Sequence, residues 1–347
     1  MPSPLGAPDI LSQRRLGAAQ NEAKAALERA RGELATGEQA DRFKATGGDP
    51  ARLTAIDRSL AMLDARTPLI GLARTRAAAT QTALETAQTA TGDLGVKLLA
   101  DIRIGDLSSA GLHARDAATA LAQVLGALNG SAGGRYLFSG AAVDAPAMAA
   151  ADDVINLVVA GLNADPDVTI ALQAVDDFFT PPAPPAVTTY PGPETFGADA
   201  FLGDAADAPP VELTPGQRLP YAVRADAPEI RELIRGLALA AAAERSNLAA
   251  DPAAQRTVLE EAGRSLIAAG DGVTLLRSQL GGAETALEAA QTRTAAERAT
   301  LSIARNDMIG KDLYDAASEI SSLEGRLQAI FAITARASEL SFVNFLR

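Results

Sequence analysis

The stretch GGRYLFSG, Gly133 to Gly140, lies between an Ala-rich helical run and a segment full of Pro, Gly and Thr. It is not a phosphate loop, which needs Gly-x4-Gly-Lys-[Ser/Thr], nor a dinucleotide fingerprint, which needs Gly-x-Gly-x-x-Gly after a strand. Alternation puts Tyr136 and Phe138 on one face of an extended segment and Arg135, Leu137 and Ser139 on the other. Gly133, Gly134 and Gly140 supply the freedom to leave a helix and turn. The reading is a helix exit followed by a short strand whose aromatics plug a domain junction.

Upstream of this motif the chain reads as helix. Leu16, Ala23, Leu27, Ala30 and Leu34 recur at seven, four and three residues, one helical stripe that stops in ELATGEQADRFKATGGDP. Helix resumes after Asp49, a natural N-cap followed by Pro50, and Leu53, Ile56, Leu60, Leu63 and Ile70 carry the period on to about Leu99, with a kink rather than a stop at Pro68. A further helix spans Leu107 to Asn129.

Downstream the character changes. From Ala141 to Ala227 prolines cluster in FFTPPAPPAVTTYPGPETF and DAPPVELTPGQRLPYAVRAD, and the helical period is lost. Short strands are predicted at Asp167 to Leu172, Pro210 to Leu213 and Leu219 to Arg224, and a small helix at Asp152 to Leu162. Helix returns at Ala227 to Asn247, and after Asp251-Pro252 it runs nearly to the end. Val273, Leu276, Leu280, Ala283, Leu287 and Ala290 step as in a heptad seam. So do Ile309, Leu313, Ala316, Ile320, Leu323, Leu327 and Ile330, in a register displaced near Asp307, which marks a stutter or a joint. Unbroken, such a helix of about 90 residues would extend about 140 Å.

Composition narrows the function classes. The 347 residues are 48% apolar and 21% charged, with 4% aromatics and no Trp, so Ala and Leu dominate and an elongated, slender helical packing is expected. Net charge is −12 without any Lys/Arg stripe, which argues against nucleic acid. No run of 18 apolar residues predicts membrane insertion, and MPSPLGAPDILSQRRLGAAQ has no signal-peptide core. The lack of cysteine removes disulfides, thiolate nucleophiles and Cys-based metal sites, and fits either the cytosol or a protein exported unfolded.

Neither terminal stripe can bury itself, because a lone amphipathic helix is marginal in water. The end of the chain, IFAITARASELSFVNFLR, adds Ile330, Phe331, Ile333, Leu340, Phe342, Val343, Phe345 and Leu346. Each contributes about 1.5 to 3 kcal/mol when fully buried. Periodicity leaves two readings open, an antiparallel helix pair in a monomer and self-assembly. For the second, the candidate interface is Leu16, Leu27, Leu34, Leu323, Leu327, Ile330, Phe331, Leu340, Phe342, Phe345 and Leu346.

Three segments resemble the flagellin superfamily, and within it the hook-filament junction proteins, the third hook-associated protein of bacterial flagella. ELATGEQADRFKATGGDPARLTAIDRSL, Glu33 to Leu60, is similar to the family's Leu-x-Thr/Ser-Gly helix end, polar loop and second helix. NGSAGGRYLFSGA, Asn129 to Ala141, is similar to its Gly-Arg-Tyr-Leu-Phe-Ser/Ala-Gly before the β part, so that Gly134, Arg135, Tyr136, Leu137, Phe138 and Gly140 form the domain-junction motif. ARNDMIGKDLYDAASEISSLEGRLQAIFAITARASELSFVNFLR is similar to its terminal helix. YPGPETF with QRLPYAVRADAPEIRELI is a looser match. The first ten residues depart from the family's start. Gly48-Asp49-Pro50 replaces the Asn-Ser-Ala-x-Asp-Asp-Ala-Ala-Gly run of filament flagellins, which favours the junction protein over flagellin itself.

The resemblance implies a mainly α fold with an inserted β-containing domain and coiled-coil-like terminal helices. Residues 1–40 with 311–347 would form a terminal helical pair, the inner assembly domain. Residues 41–140 with 228–310 would form a helical bundle, and 141–227 an inserted outer domain, β or irregular. It implies a structural subunit, not an enzyme and without cofactors, that joins hook to filament. Export would be by the flagellar type III system, from the cytoplasm to an extracellular location. Implied partners are other copies of itself, another hook-associated protein, flagellin, and an export chaperone on the C-terminal helix.

Polar residues suggest little chemistry. His113 has Asp116 three positions on, but zinc needs three or four ligands and a solvated helix histidine is expected. Ser139 lacks the Gly-x-Ser-x-Gly elbow. Asp152-Asp153 and Asp176-Asp177 do not follow a calcium loop and are expected to be solvated surface charge. Arg135 is expected to anchor the motif by an ion pair or to serve an interface. Rival classes are an enzyme, for which no convergent polar set is found, and a cytoplasmic coiled-coil scaffold, which leaves the Pro-rich insert unexplained.

Overall fold

The computed structural model describes residues 7–181 and 188–345, and the side chains of 14–181 and 188–336. In chain order the elements are α1 (Ala7–Thr36), α2 (Arg42–Ala45), α3 (Ala51–Thr91), α4 (Leu94–Ile104), α5 (Leu107–Leu128), β1 (Ser131–Ala132), β2 (Arg135–Tyr136), α6 (Ala151–Leu162), α7 (Val168–Phe179), β3 (Val211–Thr214), β4 (Gln217–Leu219), α8 (Pro228–Ala243), α9 (Pro252–Ile309) and α10 (Leu313–Phe345). The protein is mainly α, and its few strands are short.

The chain divides into two compact units, residues 1–65 with 294–347 and residues 66–293. Helices α3 and α9 contribute to both. These boundaries differ from divisions near 40 and 311, and residues 141–227 belong to the same unit as the helices on either side of them.

In the unit of residues 66–293, α8 is the central helix. It starts with Pro228 at its first position and Glu229 in the first turn, where a fixed φ and a negative charge favour a helix start. From Leu233 to Ala243 every residue is buried. Apart from Arg235 this stretch is apolar all round, and such a stretch belongs in the interior. It packs against α5 and α6, while α6 also packs on α7. Asp106 caps α5, its carboxylate accepting from the N–H groups of Ser108 and Ser109. Beyond α7 an aromatic cluster of Phe178, Phe179, Tyr190 and Phe196, with centroids 5.1 to 6.4 Å apart, fills the region read as irregular. Tyr190 donates to the Leu157 carbonyl at 3.0 Å, and burial pushes its phenol up to about 12.

Several expectations are corrected. The insert is irregular over most of its described length, but besides α6, the small helix expected at Asp152 to Leu162, it holds a second helix, α7. The strand expected at Asp167 to Leu172 is the start of α7: Asp167 caps it by accepting from the Thr169 N–H at 2.8 Å, and Ala171, Ala174, Val175 and Phe178 are buried at three- and four-residue spacing. That period outweighs the β-branched run Val168–Ile170. Strand β4 stops at Leu219 because Pro220 has no N–H to donate. The helix carried to Leu99 is interrupted after Thr91, at Gly92 with φ +49°, and Leu94 begins α4. The C-terminal helix is likewise broken at Gly310–Asp312.

The opening motif is a two-residue hairpin. Ser131 pairs with Tyr136 and Ala132 with Arg135, and Gly133 (φ +61°) and Gly134 (φ +73°) make the turn, which needs positive φ at both positions. Alternation ends at Tyr136: Leu137, Phe138, Ser139 and Gly140 are all buried. The cause is a change of backbone partner. The carbonyl of Phe138 accepts from the Ala225 N–H at 2.9 Å and that of Ser139 from the Asp204 N–H at 2.9 Å. The segment is thus enclosed by the chain returning towards α8. Arg135 is exposed and has no ion pair among the described residues.

Candidate assembly site

The unit of residues 1–65 with 294–347 contains the two terminal helices, and each is interrupted at a glycine. Helix α1 ends before Gly37 (φ +70°), and α9 ends before Gly310. The two breaks pair as an antiparallel bridge. The Gln39 N–H donates to the Ile309 carbonyl at 2.7 Å and the Lys311 N–H to the Gly37 carbonyl at 2.9 Å. Gln39 Nε2 also donates to the Gly310 carbonyl at 3.2 Å. A Cβ on Gly310 would come within 2.4 Å of the Asn306 carbonyl oxygen, so no other residue fits this approach without movement. The backbone groups released by both helix ends are therefore satisfied by each other.

Charged side chains close the bridge from two sides. Arg305 donates through Nη1 and Nη2 to the two oxygens of Glu38 at 2.5 and 3.2 Å, and through Nε to Asp57 at 2.7 Å. Lys311 lies 3.2 Å from Glu33 and 2.9 Å from Glu319, and Glu33 also accepts from the Ala40 N–H at 2.9 Å. Two-pronged guanidinium–carboxylate contacts fix geometry as well as charge. The Arg305 hydrogen bond holds the Glu38 carboxyl below its ordinary value of 4.5, and the Ala40 N–H, followed by Lys311, does the same for Glu33. Glu319 and then Glu33 hold Lys311 above 10.5.

The sign of the pH dependence follows. Carboxyls with lowered values stabilise the bridge fully above 4.5 and lose that contribution as pH falls through their folded values; the raised Lys311 contributes below 10.5 and is lost as pH rises through its own. Amide exchange of Gln39 and Lys311, corrected for intrinsic rates, is expected to stay slow at neutral pH and to accelerate about tenfold towards pH 3. Glu38→Gln should shift that acceleration to neutral pH. Equal protection at both pH values would show that the charges do not hold the bridge.

Beyond the bridge α1 and α10 pack as an antiparallel pair. Arg31 reaches Glu324 at 3.0 Å, and Lys24 lies 5.8 Å from the Phe331 ring centroid. Ala23, Leu27 and Ala30 face inward from α1, and Ala316 and Ile330 from α10. Leu16, Leu323 and Leu327 are half-buried in the same unit. Two residues placed on the stripes lie outside the seam: Leu34 is exposed, and so is Leu313, which directly follows the chain break. Phe331 (46% exposed) and Ile333 (55%) flank the seam on either side, since one residue turns the helix by about 100°. The side chains of Leu340, Phe342 and Phe345, and all of Leu346, lie outside the described residues.

Of the remaining polar candidates, His113, Asp152, Asp176 and Asp177 meet structural partners, whereas the buried Ser139 hydroxyl has none among the described residues. His113 is only partly solvated: it is half-buried on its helix, with Nε2 3.4 Å from Asp101 and Nδ1 3.4 Å from Asp116. No group of three such side chains is arranged to hold a metal ion among the described residues. Ser139 is fully buried. Asp152 meets Arg245 at 3.2 Å on the surface, as expected of solvated charge. Asp176 and Asp177 are not free surface charges. Asp177 accepts from Gln173 at 3.0 Å and from the Thr189 N–H; burial works to raise its carboxyl, and these bonds outweigh it and bring it down. Asp176 binds Arg235, which is 8% exposed and also donates to Glu232, Glu261 and Ser265. Burial raises the Asp176 carboxyl despite that partner.

No family model matches the chain, and no curated protein matches it. No described helix is long and apolar enough to cross a membrane.

Proposed function

We propose that the chain is a structural subunit of the bacterial flagellum, a hook-associated protein joining hook to filament and assembled through its terminal helices. The observation that carries this reading is the pairing of the two ends of the chain. They are locked together at Glu38 and Gly310 and seamed along α1 and α10, yet Phe331 and Ile333 still point outward on both flanks. A helix pair that covers its own seam and leaves apolar residues on either side suits lateral contact with neighbours on both sides, the pattern of a heterologous ring. The likeness of Glu33–Leu60, Asn129–Ala141 and the terminal helix to hook-filament junction proteins supports the same reading. On it, the partners are other copies of the chain, a second hook-associated protein and flagellin, with a chaperone on the C-terminal helix before export through the type III apparatus. The role is mechanical rather than catalytic.

Sedimentation and negative-stain imaging of the full chain, beside versions cut at Ala40 and at Gly310, test it. The full chain is expected to be monomeric alone and to join detached hooks when these are supplied, and both cut versions to fail. Long filaments grown by the chain alone would make it a filament flagellin. A full chain that ignores hooks would remove the flagellar reading.

A further inference from the structure

A cleft of about 340 Å³ opens in the unit of residues 66–293, between α3, the hairpin β1–β2 and the start of β3. One face of α3 forms its floor: Leu69, Leu72, Ala73 and Arg76 follow the i, i+3, i+4, i+7 spacing of a helical stripe. Leu69 is 59% and Leu72 39% exposed, so this apolar face is not covered by the fold itself. Tyr136 and Tyr221 stand on the walls, and the lining is mostly apolar.

Two guanidiniums line this apolar space. Arg135 is exposed and lacks an ion pair among the described residues. The Nε of Arg76 is buried without a hydrogen-bond partner. Arg231 and Arg277 share that orphan Nε, but both place Nη atoms on protein acceptors, Arg231 on the Phe179 and Asp226 carbonyls and Arg277 on Gln88 and Glu85. Arg76 has no such acceptor among the described residues. The carboxylate on the rim, Glu212, accepts from the Gly216 N–H at 3.1 Å. In a chain with 43 acidic and 31 basic residues, a half-buried arginine left without a carboxylate is a site of unspent donors.

We propose that this cleft binds a small organic carboxylate with a compact apolar body. Leu69, Leu72 and the two tyrosines would cover the body, and Arg76, with Arg135 at the mouth, would receive the carboxylate through its planar fork. The volume falls within the usual range for small-molecule sites, roughly 300 to 1,000 Å³. A bare inorganic anion lacks the apolar body and fits poorly. The inference is independent of the flagellar reading.

The probe is phenylbutyrate, with its uncharged amide and inorganic phosphate as comparisons. The readout is intrinsic tyrosine fluorescence, since two of the four tyrosines of this Trp-free chain line the cleft. Saturable binding of the acid is expected about tenfold tighter than of the amide, with none of phosphate. Arg76→Gln should reduce the acid to the affinity of the amide while the amide still binds, which separates a lost carboxylate contact from a lost fold. Arg135→Gln, at an exposed position, should weaken the acid a few-fold and leave the circular dichroism unchanged. Acid and amide binding equally, acid binding unaltered by both substitutions, or no saturable binding of the acid at millimolar concentration would each overturn the proposal.

Discussion

Replacing Phe331 and Ile333 together by aspartate is expected to leave the chain folded and to abolish its incorporation onto hooks. Both residues are about half exposed, so neither substitution opens a cavity in the seam formed by Leu27, Ala30 and Ile330. An aspartate at position 331 would stand near Lys24, whose ammonium now lies over the Phe331 ring, and would exchange a cation–π contact for an ion pair of similar small value. The melting of the isolated chain should therefore change little. In an assembly the same side chains would be covered, and burying each is worth about 1.5 to 3 kcal/mol. Losing two, and placing two carboxylates where a neighbour's apolar surface should sit, is expected to reduce incorporation by more than about a hundredfold. Co-sedimentation with detached hooks measures it. Undiminished incorporation, with the variant folded, would show that the flanks of α10 are not the contact surface.

What could be read from the sequence followed from whether a feature was local. Helix α5 was legible almost to the residue because its apolar period lies within one element and its ends carry local signals. The turn at Gly133-Gly134 was legible for the same reason. Helix α7 was missed because Val168, Thr169 and Ile170 suggest a strand, while the deciding period lies further along in Val175 and Phe178. For the terminal pair, the stripe through Leu27 and Ile330 could be seen, as could the glycine interruption near Gly37 and the register displacement near Asp307. The bridge that joins them could not, because Arg305 meets Glu38 across 267 positions and Asp57 across 248, and nothing local distinguishes these charges from solvated ones. Arg235 is the extreme case. It stands in an Ala- and Leu-rich helix, and its partners come from 59 and 26 positions away.

That arginine carries the largest stability effect expected of a single residue. Arg235 is nearly inaccessible and faces Asp176 at 2.6 Å, Glu232 at 3.0 Å and Glu261 at 2.9 Å. Arg235→Ala removes the cation and leaves three carboxylates directed at one another and at a space lined by α7, α8 and α9. Breaking a buried ion pair costs about 3 to 5 kcal/mol, and the low end, about 3, applies because the carboxylates are 30 to 46% exposed and partly screened by water. In a unit of this size that corresponds to a fall in Tm of about 6 to 12 °C. The deficit has a definite sign with pH. Without Arg235, burial holds the Asp176 carboxyl still further above its ordinary value, so the destabilisation is fully present at neutral pH. It shrinks as acid protonates that carboxyl. Asp176, raised by burial even beside its partner, should take up its proton early. Adding Asp176→Asn to the Arg235→Ala variant should recover part of the loss at neutral pH and little at acidic pH, a coupling that a mere loss of side-chain packing would not produce. Calorimetric melts of the two variants at neutral pH and near pH 4 decide the matter: a deficit that is the same at both, or that the second substitution leaves unchanged, would mean that Arg235 supports the fold by its bulk and not by its charge.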